Sequence, residues 1–429
     1  MHSEAGVNKK LIFVSSFIVF IAAVVFSTPV LALQPLDVFV AKARAYNPQN
    51  REVEANRSLA DAQAGEMVAR ALPGVSATAT YTRNQWDVSF VGLSVLPRDQ
   101  LDASAILSVP LVDLAKFARI SGANRSAEAA AHQQEATARQ VEAEVVQLYY
   151  QLAAQLALVE VARKALDVVR IDLKMTEGAA NAGDADALDV SRARAEVEQR
   201  SQQLTGAELE VALTSQALTS KTGVRPDTGS APELADDLHA EPAIEQFLAG
   251  VATTPSVLAA TQTRAAAQRG VSAQELSLVP ALGGTLIERY TNATGFLNGH
   301  HTAYAAAVSL TWALDFAIAP SIRARKAEAG AAVAREEEAS LAVTDAVVGA
   351  FKTIEAGIAR SRSARAQAIA ADRAADIART RYRAGASAQL DMIQAERDAF
   401  AANAARIQAD SNLLNARYQL RLVSGRGSL

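Results

Sequence analysis

Few side chains in this sequence could do chemistry, and none is arranged for catalysis. His300 and His301 are adjacent in GFLNGHH, but no carboxylate lies near them in the sequence, so we interpret them as solvated loop residues. The 429 residues include no cysteine, which excludes disulfides, thiolate metal sites and cysteine nucleophiles. The sequence also lacks a glycine-rich phosphate loop, a His/Glu helix with metal-ligand spacing and a G-x-S-x-G motif. We therefore expect a protein that is not an enzyme and uses no cofactor.

Two aspartates stand out because they occur in matching contexts. GAANAGDADALDVSRARAEV contains Gly183 and Asp189, and RYRAGASAQLDMIQAERD contains Gly385 and Asp391, 202 residues further along. A carboxylate in the first turn of a helix interacts favourably with the helix dipole, which is the simplest role for both aspartates. The glycines suit helix ends at which the chain leaves helical geometry with a positive φ.

The matching aspartates belong to a repeat that extends over most of the chain. Asn47-Pro48 and Leu72-Pro73 recur 207 residues later as Thr254-Pro255 and Val279-Pro280. Three further sites recur 202 residues later: Asp113 as Asp315, Tyr149 as Phe351, and Thr222-Gly223 as Ser424-Gly425. We therefore predict a first repeat at 33–224, a linker at 225–242 that is rich in proline and acidic residues, and a second repeat at 243–429.

Each repeat is predicted to contain a helix, a pair of strands, a very long helix, a turn and a long helix. GVSATATYT alternates apolar and polar side chains with the period of two that a strand requires, and YAAAVSLTW alternates similarly in the second repeat. The stretches that follow keep helical periodicity, and Asn124–Glu177 contains no glycine or proline. The predicted strands are 74–83, 100–110, 281–291 and 302–312, and the predicted long helices are 113–181, 186–222, 319–383 and 388–424.

Composition and charge favour long helices and exclude one class of partner. Apolar residues make up 50% of the chain but aromatic residues only 5%, and alanine supplies much of the apolar share. Alanine is a strong helix former with little surface to bury, so thin and closely packed helices are expected. The net charge of −4 is too close to zero for a nucleic-acid-binding surface, so we expect no nucleic-acid partner.

The N-terminus has the pattern of a signal peptide. Lys9 and Lys10 precede the apolar stretch Leu11–Phe26, Pro29 interrupts the apolar helix, and Ala32 is a small residue at the expected cleavage position. We therefore predict a signal peptide at 1–32. The alternative is an uncleaved membrane anchor, because the uncharged stretch is long enough to span a bilayer.

The four strands indicate a membrane β-barrel. Their apolar faces are opposed by small or polar faces, as a strand with lipid on one side and water on the other requires. Open sheet edges cannot face lipid, so the strands of one chain must be joined by strands of other chains. The sequence therefore predicts a fold that is mainly α with a membrane β-barrel portion, in which several chains close one barrel.

Taken in this order, these features resemble the TolC family of outer-membrane efflux and secretion channels. The resemblance rests on the NP-containing first helix, the strand ends VPLVD (109–113) and TWALD (311–315), the tandem duplication and the two AG-turn-LD segments. It implies a homotrimer in the outer membrane of a Gram-negative bacterium, with a twelve-stranded barrel and a helical tube that extends into the periplasm. It also implies a periplasmic membrane-fusion (adaptor) protein and an inner-membrane RND or ABC transporter as partners.

The resemblance implies that the two helix-hairpin turns form the periplasmic entrance. The residues implied to contact the adaptor are Gly183, Asp184, Ala185, Gly385, Ala386 and Ser387. Asp391 falls on a position that forms the entrance constriction in the family, and Asp189 is its counterpart in the first hairpin. A ring of carboxylates at the constriction would favour cations. The second acidic position of the family is Gln394 in this chain. Tyr382 matches the tyrosine that latches the tips in the family, but Ser387 replaces the arginine, so we expect a latch that is weaker or that uses another partner such as Arg383.

We therefore expect a passive exit duct of a tripartite efflux or type I secretion system, opened at its periplasmic tips when adaptor and pump bind. The alternative is a structural protein, a periplasmic coiled coil held by an uncleaved inner-membrane anchor. That alternative explains the alanine-rich helices, but it does not explain alternating strands at matching places in two repeats.

Overall fold

The computed structural model describes residues 33–183, 186–313 and 315–425, so the predicted signal peptide at 1–32 lies outside the described residues. Long helices dominate the described chain. The helices are α1 (Leu36–Tyr46), α2 (Pro48–Ala69), α3 (Leu114–Ala182), α4 (Ala187–Thr222), α5 (Glu245–Leu248), α6 (Pro255–Leu276), α7 (Ile318–Arg383) and α8 (Gln389–Val423). Short 3₁₀ turns lie at Val251–Thr253 and Thr294–Phe296. The strands are β1 (Gly74–Arg83), β2 (Val88–Phe90), β3 (Leu93–Leu96), β4 (Asp99–Val112), β5 (Ala281–Thr291) and β6 (Thr302–Thr311).

The first helical segment is divided at Asn47 into α1 and α2. Pro48 disfavours helical geometry at the residue before it, and Asn47 has φ −61° and ψ 129°. The side chain of Asn47 then accepts a hydrogen bond from the backbone N–H of Gln49, which caps α2. The divided segment folds back along the long helix α3, because both α1 and α2 pack against it.

The four long strands form one antiparallel sheet in the order β1-β4-β5-β6. The pairing aligns the apolar faces: Val75 lies opposite Leu107, Leu107 opposite Leu286, and Leu286 opposite Ala306. Glu288 departs from this pattern, because it lies on the apolar face opposite Tyr304. In one chain the sheet stays open, with β1 and β6 as its edges. The strands β2 and β3 form a separate small hairpin inside the β1–β4 loop, which the sequence pattern did not predict.

Two helices are unusually long, with 69 residues in α3 and 66 in α7. The side chain of Asp113 caps the start of α3 by accepting a hydrogen bond from the N–H of Lys116 at 2.9 Å. Among the described helices, α3 alone contains an 18-residue stretch apolar enough to cross a membrane, and half of that stretch is buried within the fold. We interpret this stretch as core, because buried α3 side chains pack against α1, α4 and α8.

The duplication is visible in the packing of the core. One cluster contains Phe39, Val145, Leu152 and Leu218. The other cluster contains Val347, Ile354 and Leu420, each 202 residues after its counterpart, and Phe247 takes the place of Phe39. An aromatic pair anchors each cluster: the ring centroids of Phe39 and Tyr149 are 5.9 Å apart, and those of Phe247 and Phe351 are 6.2 Å apart. The mainly helical, duplicated fold with two strand hairpins that the sequence predicts is therefore confirmed.

Ion pairs between helices follow the same repeat. Arg163 on α3 binds Glu208 on α4 at 3.0 Å, and 202 residues later Arg365 on α7 binds Asp410 on α8 at 3.0 Å. Similarly, Arg57 on α2 donates to Gln134 on α3 at 3.1 Å, and its counterpart Arg264 on α6 binds Glu336 on α7 at 2.9 Å. The two repeats therefore share side-chain contacts between their helices as well as the same order of helices and strands.

The segment 225–242 contains no helix and crosses the helices as an extended strap. Arg417 on α8 fastens it: the guanidinium donates to both carboxylate oxygens of Asp236, at 2.8 and 3.1 Å, to the carboxylate of Glu241, and to the carbonyl of His239. The side chains of Arg417 and Asp236 are only 6% and 5% exposed, so both charges are largely shielded from bulk water. Removing one partner would leave a buried charge uncompensated.

We expect the substitution Arg417→Ala to destabilise the fold by about 3–5 kcal/mol, because it leaves buried Asp236 and Glu241 without a cation. The midpoint of denaturant unfolding, followed by helical circular dichroism, measures this loss. The matched control is Arg163→Ala, which breaks an exposed pair and should cost at most about 1 kcal/mol. Equal losses in the two variants would show that Arg417 does not fasten the strap.

Candidate functional site at the helix-hairpin tips

Glycine ends the outgoing helix in each of the two long hairpins. Gly183 terminates α3 with φ 85°, and Gly385 follows α7 with φ 70°. After α7, the N–H of Gly385 donates to the carbonyl of Tyr382 at 2.9 Å and the N–H of Ala386 to that of Arg381 at 2.8 Å. These two bonds define a Schellman motif, which needs a residue that tolerates left-handed geometry. The sequence signal for both turns is therefore the glycine itself.

Both tip aspartates lie in the first turn of the returning helix, Asp189 in α4 and Asp391 in α8. Asp189 is partly buried and has a weak contact with Arg192, 3.7 Å between Oδ1 and Nη1. Asp391 and Gln394 are exposed. Both aspartates are placed where the helix dipole favours a carboxylate, and Asp391 is also open to solvent. Two other predicted tip residues, Asp184 and Ala185, lie outside the described residues.

At the second tip, the Tyr382 phenol makes no latching hydrogen bond to Ser387 among the described residues. Tyr382 is partly buried, and its backbone carbonyl takes part in the Schellman motif. In the described chain, the Ser387 hydroxyl is buried without a hydrogen-bond partner, so it does not bind the Tyr382 phenol. A serine side chain is too short to replace the reach of an arginine, which explains why this bond is missing.

Polar contacts across the two hairpins were missed by sequence reasoning. Gln389, 5% exposed at the start of α8, donates from Nε2 to the backbone carbonyl of Asp189 at 3.2 Å and approaches the Thr176 hydroxyl at 3.5 Å. The same side chain therefore touches both helices of the first hairpin. Gln389 immediately precedes the Leu-Asp pair of the second tip, but its partners lie about two hundred residues away in sequence, so no local pattern could identify them.

A charged cluster two turns further from the tips joins the hairpins more firmly. Glu196 on α4 is 3% exposed; its Oε1 accepts from Arg200 on the same helix at 2.9 Å, and its Oε2 accepts from Arg397 on α8 at 2.9 Å. The guanidinium of Arg200 also lies 4.9 Å from the ring centroid of Phe400 on α8. The spacing of Glu196 and Arg200 signals an ion pair within one helix, but it does not identify Arg397 as the second partner.

Each hairpin contains an ion pair at equivalent positions, but the acidic and the basic residue have exchanged helices between the two hairpins. Glu177 on α3 binds Arg194 on α4 at 2.9 Å, whereas their counterparts are Arg379 on α7 and Glu396 on α8, 3.0 Å apart. The first pair is exposed, while the side chain of Glu396 is only 8% exposed. Burial, and then the nearby Asp172 carboxylate, raise the pKa of Glu396. The two hairpins are therefore similar in shape but different in charge.

Taken together, the tips present exposed turns backed by a buried polar joint between the hairpins. Leu188 and Leu390, the leucines of the two Leu-Asp pairs, are 51% and 54% exposed. Among the described residues no group of three or more His, Cys, Asp and Glu side chains could hold a metal ion. This arrangement offers an apolar and acidic contact surface at each tip.

Several solved outer-membrane channels have the same fold. OprN is 23% identical with a TM-score of 0.79, and the match covers 91% of this chain and 90% of OprN. CmeC of Campylobacter jejuni is 16% identical with a TM-score of 0.80, covering 92% of this chain and 86% of CmeC. VceC of Vibrio cholerae is 19% identical with a TM-score of 0.77, covering 91% and 96%. A search of curated proteins found no significant match.

The family profile described as "Outer membrane efflux protein" matches the chain twice, over residues 39–224 and 251–426. The two matched segments correspond to the two repeats, and together they include all four long strands and both hairpins. The alternative interpretation as an anchored coiled coil is therefore wrong. The chain belongs to the outer membrane efflux protein family, to which TolC-type channels belong.

Proposed function

We propose that this outer membrane efflux channel, which extends into the periplasm, works as a homotrimer that forms a continuous duct. The observation that carries the proposal is the unequal surroundings of two equivalent helices. Helix α6 packs between α3 and α7, whereas its counterpart α2 packs mainly on α3. On the free side of α2, Leu59 is 56% exposed. The repeat predicts that α7 of a neighbouring copy covers this side.

The sheet edges support the same assembly. In lipid the unpaired backbone groups of β1 and β6 would lack hydrogen-bond partners, so the sheet has to close on further strands. Strand β6 of one copy and β1 of the next can pair to give twelve strands from three copies. The exposed apolar face, which includes Val75 and Val308, would then face lipid, and the Ser/Thr face would line the duct.

The proposed partner surface is the ring of hairpin tips. Three copies supply six tips, each with an exposed leucine, Leu188 or Leu390, next to a turn glycine. We assign Gly183, Asp184, Ala185, Gly385, Ala386 and Ser387 as the surface for a periplasmic adaptor. Since no phosphate-binding loop occurs in the sequence, the energy for export would come from an inner-membrane transporter of the RND or ABC class.

We propose that Asp391, exposed in the first turn of α8, lines the periplasmic entrance together with Asp189. Three Asp391 carboxylates around one axis would attract cations and repel anions. Gln394 supplies an amide instead of a second carboxylate one turn later, and Tyr382 would support the tip by packing rather than by a bond to Ser387. The entrance would therefore carry a single acidic ring from the second hairpin.

The trimer can be tested by cysteine cross-linking, because the chain has no native cysteine. Within one chain, the Ser411 hydroxyl on α8 donates to the carbonyl of Tyr150 on α3 at 2.8 Å. The repeat places Leu209 and Lys352 in the equivalent contact between neighbouring copies, and Leu209 is 57% exposed in the single chain. We expect the variant with Leu209→Cys and Lys352→Cys to form covalent dimers and trimers on non-reducing gels.

The control for this experiment is the variant with Tyr150→Cys and Ser411→Cys, which should cross-link within one chain and leave its mass unchanged. If the Leu209 and Lys352 cysteines gave only monomers while the control pair oxidised, the proposed subunit contact would be wrong.

The entrance can be tested by single-channel recording in planar bilayers. Replacing Asp391 with alanine should reduce the preference for cations, because it removes three carboxylates from the narrowest part of the duct. The matched control is Asp398→Ala, an exposed aspartate two turns further along α8. Unchanged selectivity in Asp391→Ala, or an equal change in Asp398→Ala, would remove Asp391 from the entrance.

A further inference from the structure

Asp172 is a buried carboxyl group without a partner in the joint between the two hairpins. It lies on α3, is 5% exposed, and neither of its carboxylate oxygens has a hydrogen-bond partner among the described residues. The hydroxyl of Thr176, one turn further along α3, donates a hydrogen bond to the Asp172 backbone carbonyl and not to its carboxylate. An ionised carboxylate in such a place would lose its hydration without compensation.

A second buried carboxyl group, Glu396, lies on α8, which runs beside α3 at this level: Gln389, two turns before Glu396, approaches the hydroxyl of Thr176, one turn after Asp172, at 3.5 Å. The Oε1 of Glu396 accepts two hydrogen bonds from Arg379 on α7, at 3.1 Å from Nε and 3.0 Å from Nη2. Burial raises the pKa of Asp172, and the positive charges of Arg379 and Arg383 oppose this shift. Burial also raises the pKa of Glu396, and a negative charge on Asp172 raises it further.

The surrounding arginines are already occupied by other carboxylates. On α4 and α8, Arg200 and Arg397 both bind Glu196. On α7, Arg379 is shared between Glu396 and Asp376, which it contacts at 2.9 Å. Arg383, at the end of α7, is exposed and makes no hydrogen bond to Asp172. Asp172 and Glu396 therefore compete for the positive charge of Arg379. The simplest way to neutralise the second negative charge is a bound proton.

We propose that Asp172 and Glu396 form a proton-binding site that couples the packing of the two hairpins to pH. When α3 and α8 are packed together, the pair holds at least one proton. When the hairpins separate, water solvates both groups and the proton is released. Because the packed state binds the proton more tightly, acidification favours packing, and packing weakens as the pH rises above the ordinary range of carboxyl groups.

The site occurs once in each chain. The equivalent positions in the other repeat are Ala374 and Arg194, so the corresponding contact between neighbouring copies would have no carboxyl pair. The proton site itself concerns contacts within one chain and does not rest on the trimer. If the proposed trimer is correct, only three of the six joints around the entrance respond to pH, and the entrance loosens at alternate joints.

The proton can be detected directly by infrared spectroscopy of the full-length protein in detergent. We expect a carboxylic acid C=O band that persists at neutral pH and disappears at higher pH. The substitution Asp172→Asn should remove this persistent band, whereas the control Asp398→Asn, which changes an exposed carboxylate on α8, should leave it intact. Glu396→Gln is the second variant, and it should also abolish the band, because it removes the carboxylate that competes with Asp172 for the charge of Arg379.

Packing is measured in the same preparations by hydrogen exchange of the α8 amides around Glu396, with variant and unmodified protein compared at each pH. Asp172→Asn should protect these amides more than the unmodified protein at neutral pH, and the difference should vanish in acid. A band that survives both substitutions, or a difference in exchange that is the same at every pH, would overturn the proposal. A response to calcium or to a chelator, without a response to pH, would assign the pair to a cation instead.

Discussion

The rest of the structure depends on one constraint: backbone hydrogen bonds cannot be left unpaired in lipid. One chain supplies four strands with β1 and β6 as open edges, and no further long strand is described that could pair with them. In the proposed trimer, closure comes from the strands of other copies, and the long helices of these copies would then pack side by side. The apolar faces of the strands and the alanine-rich helices are two consequences of the same assembly requirement.

Duplication allows few chains to satisfy this constraint. Equivalent core residues, such as Val145 and Val347, and equivalent ion pairs, such as Arg163–Glu208 and Arg365–Asp410, make the two repeats interchangeable as building units. Contacts within one chain can then serve as the pattern for contacts between chains. The repeats differ most clearly in charge near the tips, so a ring with sixfold shape would have only threefold chemistry at its entrance.

The sequence identifies elements more reliably than partners. Strands and helices follow from periodicities of two and of three to four residues, and the positive φ values at Gly183 and Gly385 follow from the glycine that each turn requires. The joint between the hairpins was not predictable in this way, because Glu196 and Arg397 are about two hundred residues apart and each also fits a solvated helix face. Likewise, an aspartate at position 172 gives no sign in the sequence that its carboxylate is buried.

The distribution of apolar and polar contacts along the hairpins would allow the tips to separate without unfolding of the helices. Far from the tips, α3 and α8 share an apolar core, including Val145, Leu152 and Leu422, which would lose stability if exposed to water. Near the tips, buried apolar side chains such as Met392 are accompanied by polar contacts through Gln389 and Glu196, and water can replace these polar contacts when the helices separate. In the proposed mechanism, adaptor binding or the uptake and release of one proton would shift the tips while the apolar core further along the helices stays packed.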